Sequence, residues 1–347
     1  MKINNKLLIG KKNNPFIIAE ISANHDNNFD RLLTMVDAAA EAGASAVKIQ
    51  TINPKEITLN SDSNEFTINN ENSKWHGKKF YDIYKEATLP LSWHKKVFAR
   101  AKKNKIIAFS TPFDEKSVDF LARLGTPLYK IASFENEHFP LIKKISTKNK
   151  PVIMSLGMLS LKQIYESVKY LKKCRIKSFA LLKCTSLYPA PLENLNLASI
   201  SDLKKKFNCE IGFSDHTTTI NSSIAAVAQG ATIIEKHFVL SKKDNTLDSH
   251  FSVDFNDLKE LVIGCKEAHK SIGSVSYKLS KSEKIASKNK RTIRACLDIV
   301  KGTKFTNKNI KVVRPGGGLK PKVYPKIIGK KAKSNIKFGE KIKIQDF

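Results

Sequence analysis

Three lysines, Lys48, Lys130 and Lys183, stand inside short apolar runs, AVKIQT, LYKIASF and FALLKCTS. A buried ammonium is expensive unless an anion meets it. The three therefore predict an anionic ligand, and the serines near them, Ser133, Ser155, Ser186 and Ser214, predict that the anion is a phosphate. Two later runs end in histidine, GFSDHT at His216 and IEKHF at His237. If these runs are neighbouring strands, roughly 4.8 Å apart, one divalent metal at about 2.0–2.1 Å from each imidazole bridges them. Two protein ligands leave positions open for water and a substrate oxygen, as a Lewis acid requires. His25 also ends an apolar run, whereas His76, His94, His138, His250 and His269 are scattered.

These groups gain force from the elements that must carry them. Between Phe16 and Gly273, eight short β-branched runs alternate with amphipathic segments such as Asp30–Gly43, Glu115–Gly125, Leu161–Lys173 and Phe255–Ser271. That alternation predicts repeated βα units on a parallel sheet. Eight units predict closure into a (β/α)8 TIM barrel, where reactive groups sit at the C-terminal ends of the strands. Polar residues do stand there: Glu20, Asn24 and His25; Lys48 and Gln50; Lys130, Ser133 and Glu135; Ser155; Lys183, Thr185, Ser186 and Tyr188; Ser214, Asp215 and His216; Glu235, Lys236 and His237. Strand side chains alternate with period two, so Lys48 with Gln50, Ser133 with Glu135, Ser214 with His216 and Glu235 with His237 are expected to share a face. No G-x-G-x-x-G follows the first strand, which argues against a dinucleotide site.

The chain of 347 residues suits one barrel and a small appendage. Residues 1–273 are expected to form the catalytic barrel, 274–290 an extended or mobile linker, and 291–347 a compact Gly-punctuated module with little core of its own. A polar stretch from Asn53 to about Leu89 interrupts the second βα unit and predicts a partly helical lid or an oligomer contact.

The net charge of +29 invites a polyanion-binding reading. The lysines are spread over most predicted helices and turns, without a basic block carrying interleaved aromatics, so a solvated surface is expected and no nucleic-acid partner. Five cysteines without C-x-x-C spacing predict a reduced, cytoplasmic chain. The N-terminal apolar stretch is too short for a signal-peptide core, and no run approaches the roughly 18 residues that span a bilayer.

AEISANH, AVKIQT, STPFD, YKIAS, VIMSLGM, LLKCTSLYPAP, GFSDHT and IEKHF occur in an order that resembles the sialic acid synthases. The similarity continues into a C-terminal segment that looks like the antifreeze-like (SAF) module of that family. ISANH, together with W-x-G-x-x-x-Y-D-x-Y-x-E-A at 75–87, resembles its pseudaminic acid branch. The resemblance implies a phosphoenolpyruvate site from Lys48, Lys130, Ser133, Ser155, Ser186 and Ser214. It implies a divalent metal (Mn2+, Mg2+ or Co2+) on His216 and His237, sugar contacts from Glu20, Gln50, Tyr188 and Asp248, and Glu135 placed to handle the attacking water. Arg314, in RPGGG, is implied to reach the N-acetyl group in the neighbouring subunit of a homodimer with exchanged C-terminal modules. Two departures stand out: S-T-G-M reads SLGM at Leu156, and N-H-N-G reads NHDN.

The expected reaction joins carbon three of phosphoenolpyruvate to a metal-polarised amino-sugar aldehyde, adds water at carbon two and expels phosphate by C–O cleavage. Glu135, Glu20 and Lys130 are the expected catalytic residues. An N-acetylneuraminate or legionaminate synthase shares every catalytic motif and stays open as an alternative, with a non-enzymatic polyanion-binding protein more remote.

Overall fold

The structure, a computed structural model, describes residues 1–3, 7–71 and 73–347; Asn72, within the polar stretch after the second strand, lies outside them. Eight strands, β1 (Phe16–Glu20), β2 (Ala46–Thr51), β3 (Ile107–Pro112), β4 (Tyr129–Ile131), β5 (Val152–Ser155), β6 (Phe179–Cys184), β7 (Glu210–Asp215) and β8 (Ile233–His237), close into a barrel in sequence order. Neighbours pair in parallel, and β1 pairs with both β2 and β8.

Helices on the outside bury one apolar face against the sheet. Helix Glu115–Leu124 begins where Asp114 accepts from Ser117 N–H, buries Val118 and Leu121, and stops at Gly125, whose φ of 80° suits a residue without Cβ. Helix Leu161–Lys173 opens on a capping box of Ser160 and Gln163. Along each strand, alternate side chains enter either this outer layer or the barrel interior. Phe16, Ile18, Phe109, Ile153, Leu182 and Ile233 fill the N-terminal half of the interior, and Ile3 and Ile9 join them from the chain's start. The polar residues are held two positions further along the same strands.

The segment between β2 and β3 is partly helical, with turns at Pro54–Ile57 and Asn64–Phe66 and a helix over Phe80–Ala87. Gly77 N–H donates to Ile68 O and Ile68 N–H to Lys78 O, which ties Ile68 to Gly77 and Lys78. Lys74 Nζ donates to Thr246 O and Asn245 Oδ1, both at 3.1 Å, just beyond β8. Among the described residues, no helix is long and apolar enough to cross a membrane.

The second compact unit, Ser274–Phe347, contains the antiparallel pair β9 (Thr292–Ala295) and β10 (Ile310–Val313). It has more core than its length suggests, with Ile293, Phe305, Ile310, Ile327 and Ile342 fully buried. The connector expected to be extended carries a helix, Lys281–Ala286, because Ser280 and Glu283 form a capping box.

Candidate active site

At the C-terminal end of the barrel the interior becomes charged. Lys48 Nζ lies 2.7 Å from Glu20 Oε2 and 3.6 Å from Glu235 Oε1, and donates to Thr111 Oγ1. Lys130 Nζ lies 3.7 Å from the same Glu235 oxygen and donates to Ser155 Oγ at 2.7 Å. Ser214 Oγ donates to Glu235 Oε1, while Gln50 Nε2 donates to Glu20 Oε1 and Ser22 Oγ. Two ammoniums and two carboxylates thus share a buried floor to which every strand but β6 contributes a side chain.

The electrostatics of the floor are uneven. Burial lifts Glu20 to about 6 against the pull of Lys48. Burial also opposes the charge on both lysines, yet Lys48 is raised because Glu20 and Glu235 outweigh it. For Lys130 burial outweighs the more distant Glu235, and its pKa is lowered. An anion arriving beside Lys130 therefore stabilises a charge that the protein alone supports poorly.

Above the floor, Ser133, Ser186 and Gly157 form a small cradle. Gly157 N–H donates to Ser133 Oγ at 3.2 Å, and a Cβ on Gly157 would come within 2.1 Å of Ser186 Oγ and 2.7 Å of Ser133 Oγ. Only glycine leaves this space open. Asn136 Nδ2 donates to the Ser155 and Gly157 carbonyls and holds the turn. Ser133 and Glu135 do not alternate along a strand as expected: β4 ends at Ile131 and Ser133–Glu135 form a 3-10 turn. The turn still leaves Glu135 Oε2 buried without a hydrogen-bond partner, and burial pushes the carboxyl up to about 7 against Lys130 and Lys48.

His216 and His237 meet at the rim, ring centroids 5.4 Å apart. His216 Nδ1 is 3.0 Å from Thr185 O, so Nε2 stays free. His237 Nδ1 is buried, hydrogen-bonds to nothing and stands 3.8 Å from Asp248 Oδ2. Burial, with His216 and Lys48 nearby, holds His237 well below its ordinary pKa and keeps it neutral. A neutral imidazole and an unclaimed ring nitrogen suit a metal. Among the described residues no group of three or more His, Cys, Asp or Glu is arranged to hold a cation. His216 and His237 are the donors that could hold a metal at the rim, with positions left for water or substrate oxygen. Tyr188 lies against His216 at 4.4 Å between centroids, and Asp248 accepts from Ala23 N–H.

Lys183 is not part of this assembly. Strand alternation turns Cys184 inward and Lys183 outward, where its Nζ donates to Cys184 O. Asp215 and Lys236 also face the outer layer, 3.2 Å apart. Leu156 is 4% exposed within the core between barrel and helices, so SLGM changes packing there and removes no group from the cradle. In NHDN, Asp26 and Asn27 adopt φ of 52° and 48°, which Asp and Asn tolerate. Sequence reasoning missed Thr111, Gly157 and the inward thiol of Cys184, which lies 3.9 Å from His216 Nδ1. It also left Glu235 out of the ligand set, although two-residue spacing from His237 pointed to it.

Arg314 belongs to the second unit and is exposed. Its loop is held by Arg294, whose guanidinium donates to Pro315 O at 3.0 Å, and by Gly316 N–H on Lys288 O. A cavity of about 1100 Å3 at the N-terminal end of the barrel, walled by residues such as Ile9, Gly230 and Lys266, contains none of the candidate residues.

The profile of the NeuB family matches residues 35–277 and that of the SAF domain residues 290–347. A pseudaminic acid synthase of Campylobacter jejuni is 41% identical over 335 residues, 96% of each chain. An N,N'-diacetyllegionaminic acid synthase of the same organism is 36% identical over 94% of this chain and 98% of its own. The crystal structure of a sialic acid synthetase from Leptospira borgpetersenii, 31% identical, superposes with a TM-score of 0.72 over 82% of this chain and 93% of that one. With profile, relatives and barrel in agreement, the chain belongs to the NeuB family and ends in a SAF domain.

Proposed function

We propose that the chain condenses phosphoenolpyruvate with 2,4-diacetamido-2,4,6-trideoxy-L-altrose and water to give pseudaminic acid and phosphate. One observation carries the reading: a buried two-lysine floor and a glycine-opened serine cradle lie directly beneath a histidine pair. Lys48, Lys130, Ser155 and Ser214 would hold the carboxylate and phosphate ends of phosphoenolpyruvate, with Ser133 and Ser186 on the phosphoryl oxygens. His216 and His237 would hold a divalent ion such as Mn2+, Mg2+ or Co2+, which when bound polarises an aldehyde oxygen.

Carbon three of the enol forms a bond to the aldehyde carbon, leaving carbon two electron-deficient. Water adds there and gives its proton to Glu135, whose pKa of about 7 suits a group that takes and returns a proton near neutrality. The tetrahedral carbon then expels phosphate by breaking its C–O bond, with Lys130 beside the departing oxygens. Glu20 and Gln50 orient the sugar from one side, Tyr188 and Asp248 from the other. The pseudaminic assignment rests on the 41% and 36% identities to relatives of that name in Campylobacter jejuni and Helicobacter pylori.

We further propose that Arg314 serves the site of a second copy, so that the working form is a homodimer with exchanged C-terminal domains, and that the enzyme works in the cytoplasm. Mass spectrometry of the product from phosphoenolpyruvate and the diacetamido altrose tests the reaction. The 36% identical legionaminic relative supplies the alternative, an enzyme preferring another amino sugar. Preferred turnover of N-acetylmannosamine or the legionaminate precursor in direct competition would establish it.

A further inference from the structure

Trp75, just before the Gly77–Ile68 hydrogen bond, brings to the barrel mouth an aromatic ring that the proposed reaction does not use. Trp75 packs at 6.5 Å from the Tyr188 ring and edge-on to His250 at 5.9 Å. Tyr188 in turn lies against His216. The indole is thus the second ring outward from the histidine pair, on the side where a sugar held by its aldehyde must extend. Its Nε1–H is buried and has no acceptor. An indole nitrogen can only donate, and a buried donor left unpaired is costly, so such groups are kept where something else supplies the acceptor. Lys74, the preceding residue, is anchored to Thr246 O and Asn245 Oδ1, so the ring is held in place and does not dangle.

The geometry points to Trp75 as a sugar-specificity residue: its N–H donates to the carbonyl of an acylamino group remote from the aldehyde, and its face packs on the deoxygenated end of the sugar. This rests on the proposed amino-sugar reaction and deepens it. Aromatic faces favour an apolar methyl over a hydroxymethyl, while one N–H selects for a carbonyl at a fixed reach.

Trp75 and Trp93 are the chain's two tryptophans, and Trp93 packs on Phe29. In a Trp93→Phe variant, emission therefore reports Trp75 alone. Titration with the diacetamido altrose should shift or quench that emission, and N-acetylmannosamine should do so weakly. Trp75→Phe, which keeps an aromatic ring and removes the donor, should raise KM for the diacetamido sugar roughly three- to tenfold. KM for phosphoenolpyruvate should stay unchanged, which a misfolded site would not allow. Unchanged emission at saturating sugar, or equal KM changes for both sugars, overturns the assignment. Should the wild-type protein turn over no amino-sugar aldehyde, the proposed reaction falls, and the emission titration still decides whether Trp75 meets an acylamino sugar.

Discussion

The two ends of the barrel interior are built from the same strands with the same alternation, yet they are opposites. Toward the N-terminal end, Phe16, Ile18, Phe109, Ile153, Leu182 and Ile233 form an apolar plug. One step further along, Glu20, Thr111, Ser155, Cys184 and Glu235 occupy the equivalent inward positions, with Lys48 and Lys130 among them. Apolar burial at one end offsets the cost of gathering charges at the other. Stability and chemistry are thereby separated along the strand axis, and substitutions should divide the same way.

The largest expected effect is at the rim. His216→Ala or His237→Ala should abolish turnover, and isothermal titration with Mn2+ should show lost metal binding. Full activity of either variant in chelator would remove the metal from the account. Glu135→Gln should follow, slowing turnover roughly 10²–10⁴-fold with phosphoenolpyruvate binding largely intact. In the wild type, kcat/KM should rise as pH climbs through about 7, because Glu135 takes the water's proton only as carboxylate. The variant should lack that limb.

The sign for stability is the reverse. A carboxyl whose pKa rises from 4.5 to about 7 on folding favours the folded state below about 4.5 and loses that contribution as pH rises through 7. Glu135→Gln should therefore raise stability at pH 8, by up to about 3 kcal/mol, read from denaturant melts at both ends of the range. Equal stabilities across that range would show that Glu135 titrates normally.

Phe109→Ala probes the other end. It empties part of the plug and should cost about 3–5 kcal/mol of stability while leaving the specific activity of the folded fraction unchanged. A selective loss of kcat would mean that the two ends are coupled. The smallest signal concerns what lies beyond the barrel. Mixing Arg314→Ala with His237→Ala subunits should restore part of the activity, since exchange across a dimer puts both lesions in one site and leaves the other intact. No recovery between subunits shown to exchange would confine Arg314 to its own barrel or exclude it from the site.

The barrel was legible because eight apolar runs recur with a fixed order of strand and helix, and the polar strand ends named most of the mouth. What escaped follows from the same period of two. Lys183 looks like Lys48 in the sequence, but its neighbour Cys184 takes the inward position. Strand register predicts that Ser133 and Glu135 share a face, whereas the chain has already turned at Ala132. Gly157 carries no side chain to notice, and its role appears only when Ser133 and Ser186 close around the space it leaves. Trp75 follows Lys74, whose anchor Thr246 is 172 residues further along the chain, a distance that no local pattern bridges.

Whether the charged end of the barrel joins phosphoenolpyruvate to an amino sugar and expels phosphate by C–O cleavage is read with isotope. Phosphoenolpyruvate carrying 18O in its bridging oxygen is incubated with the diacetamido altrose, and product and phosphate are weighed by mass spectrometry. An unlabelled nine-carbon acid at the mass of pseudaminic acid is expected, with phosphate that retains the 18O. Label left in the organic product, or phosphate released without a nine-carbon acid, would contradict the proposed reaction.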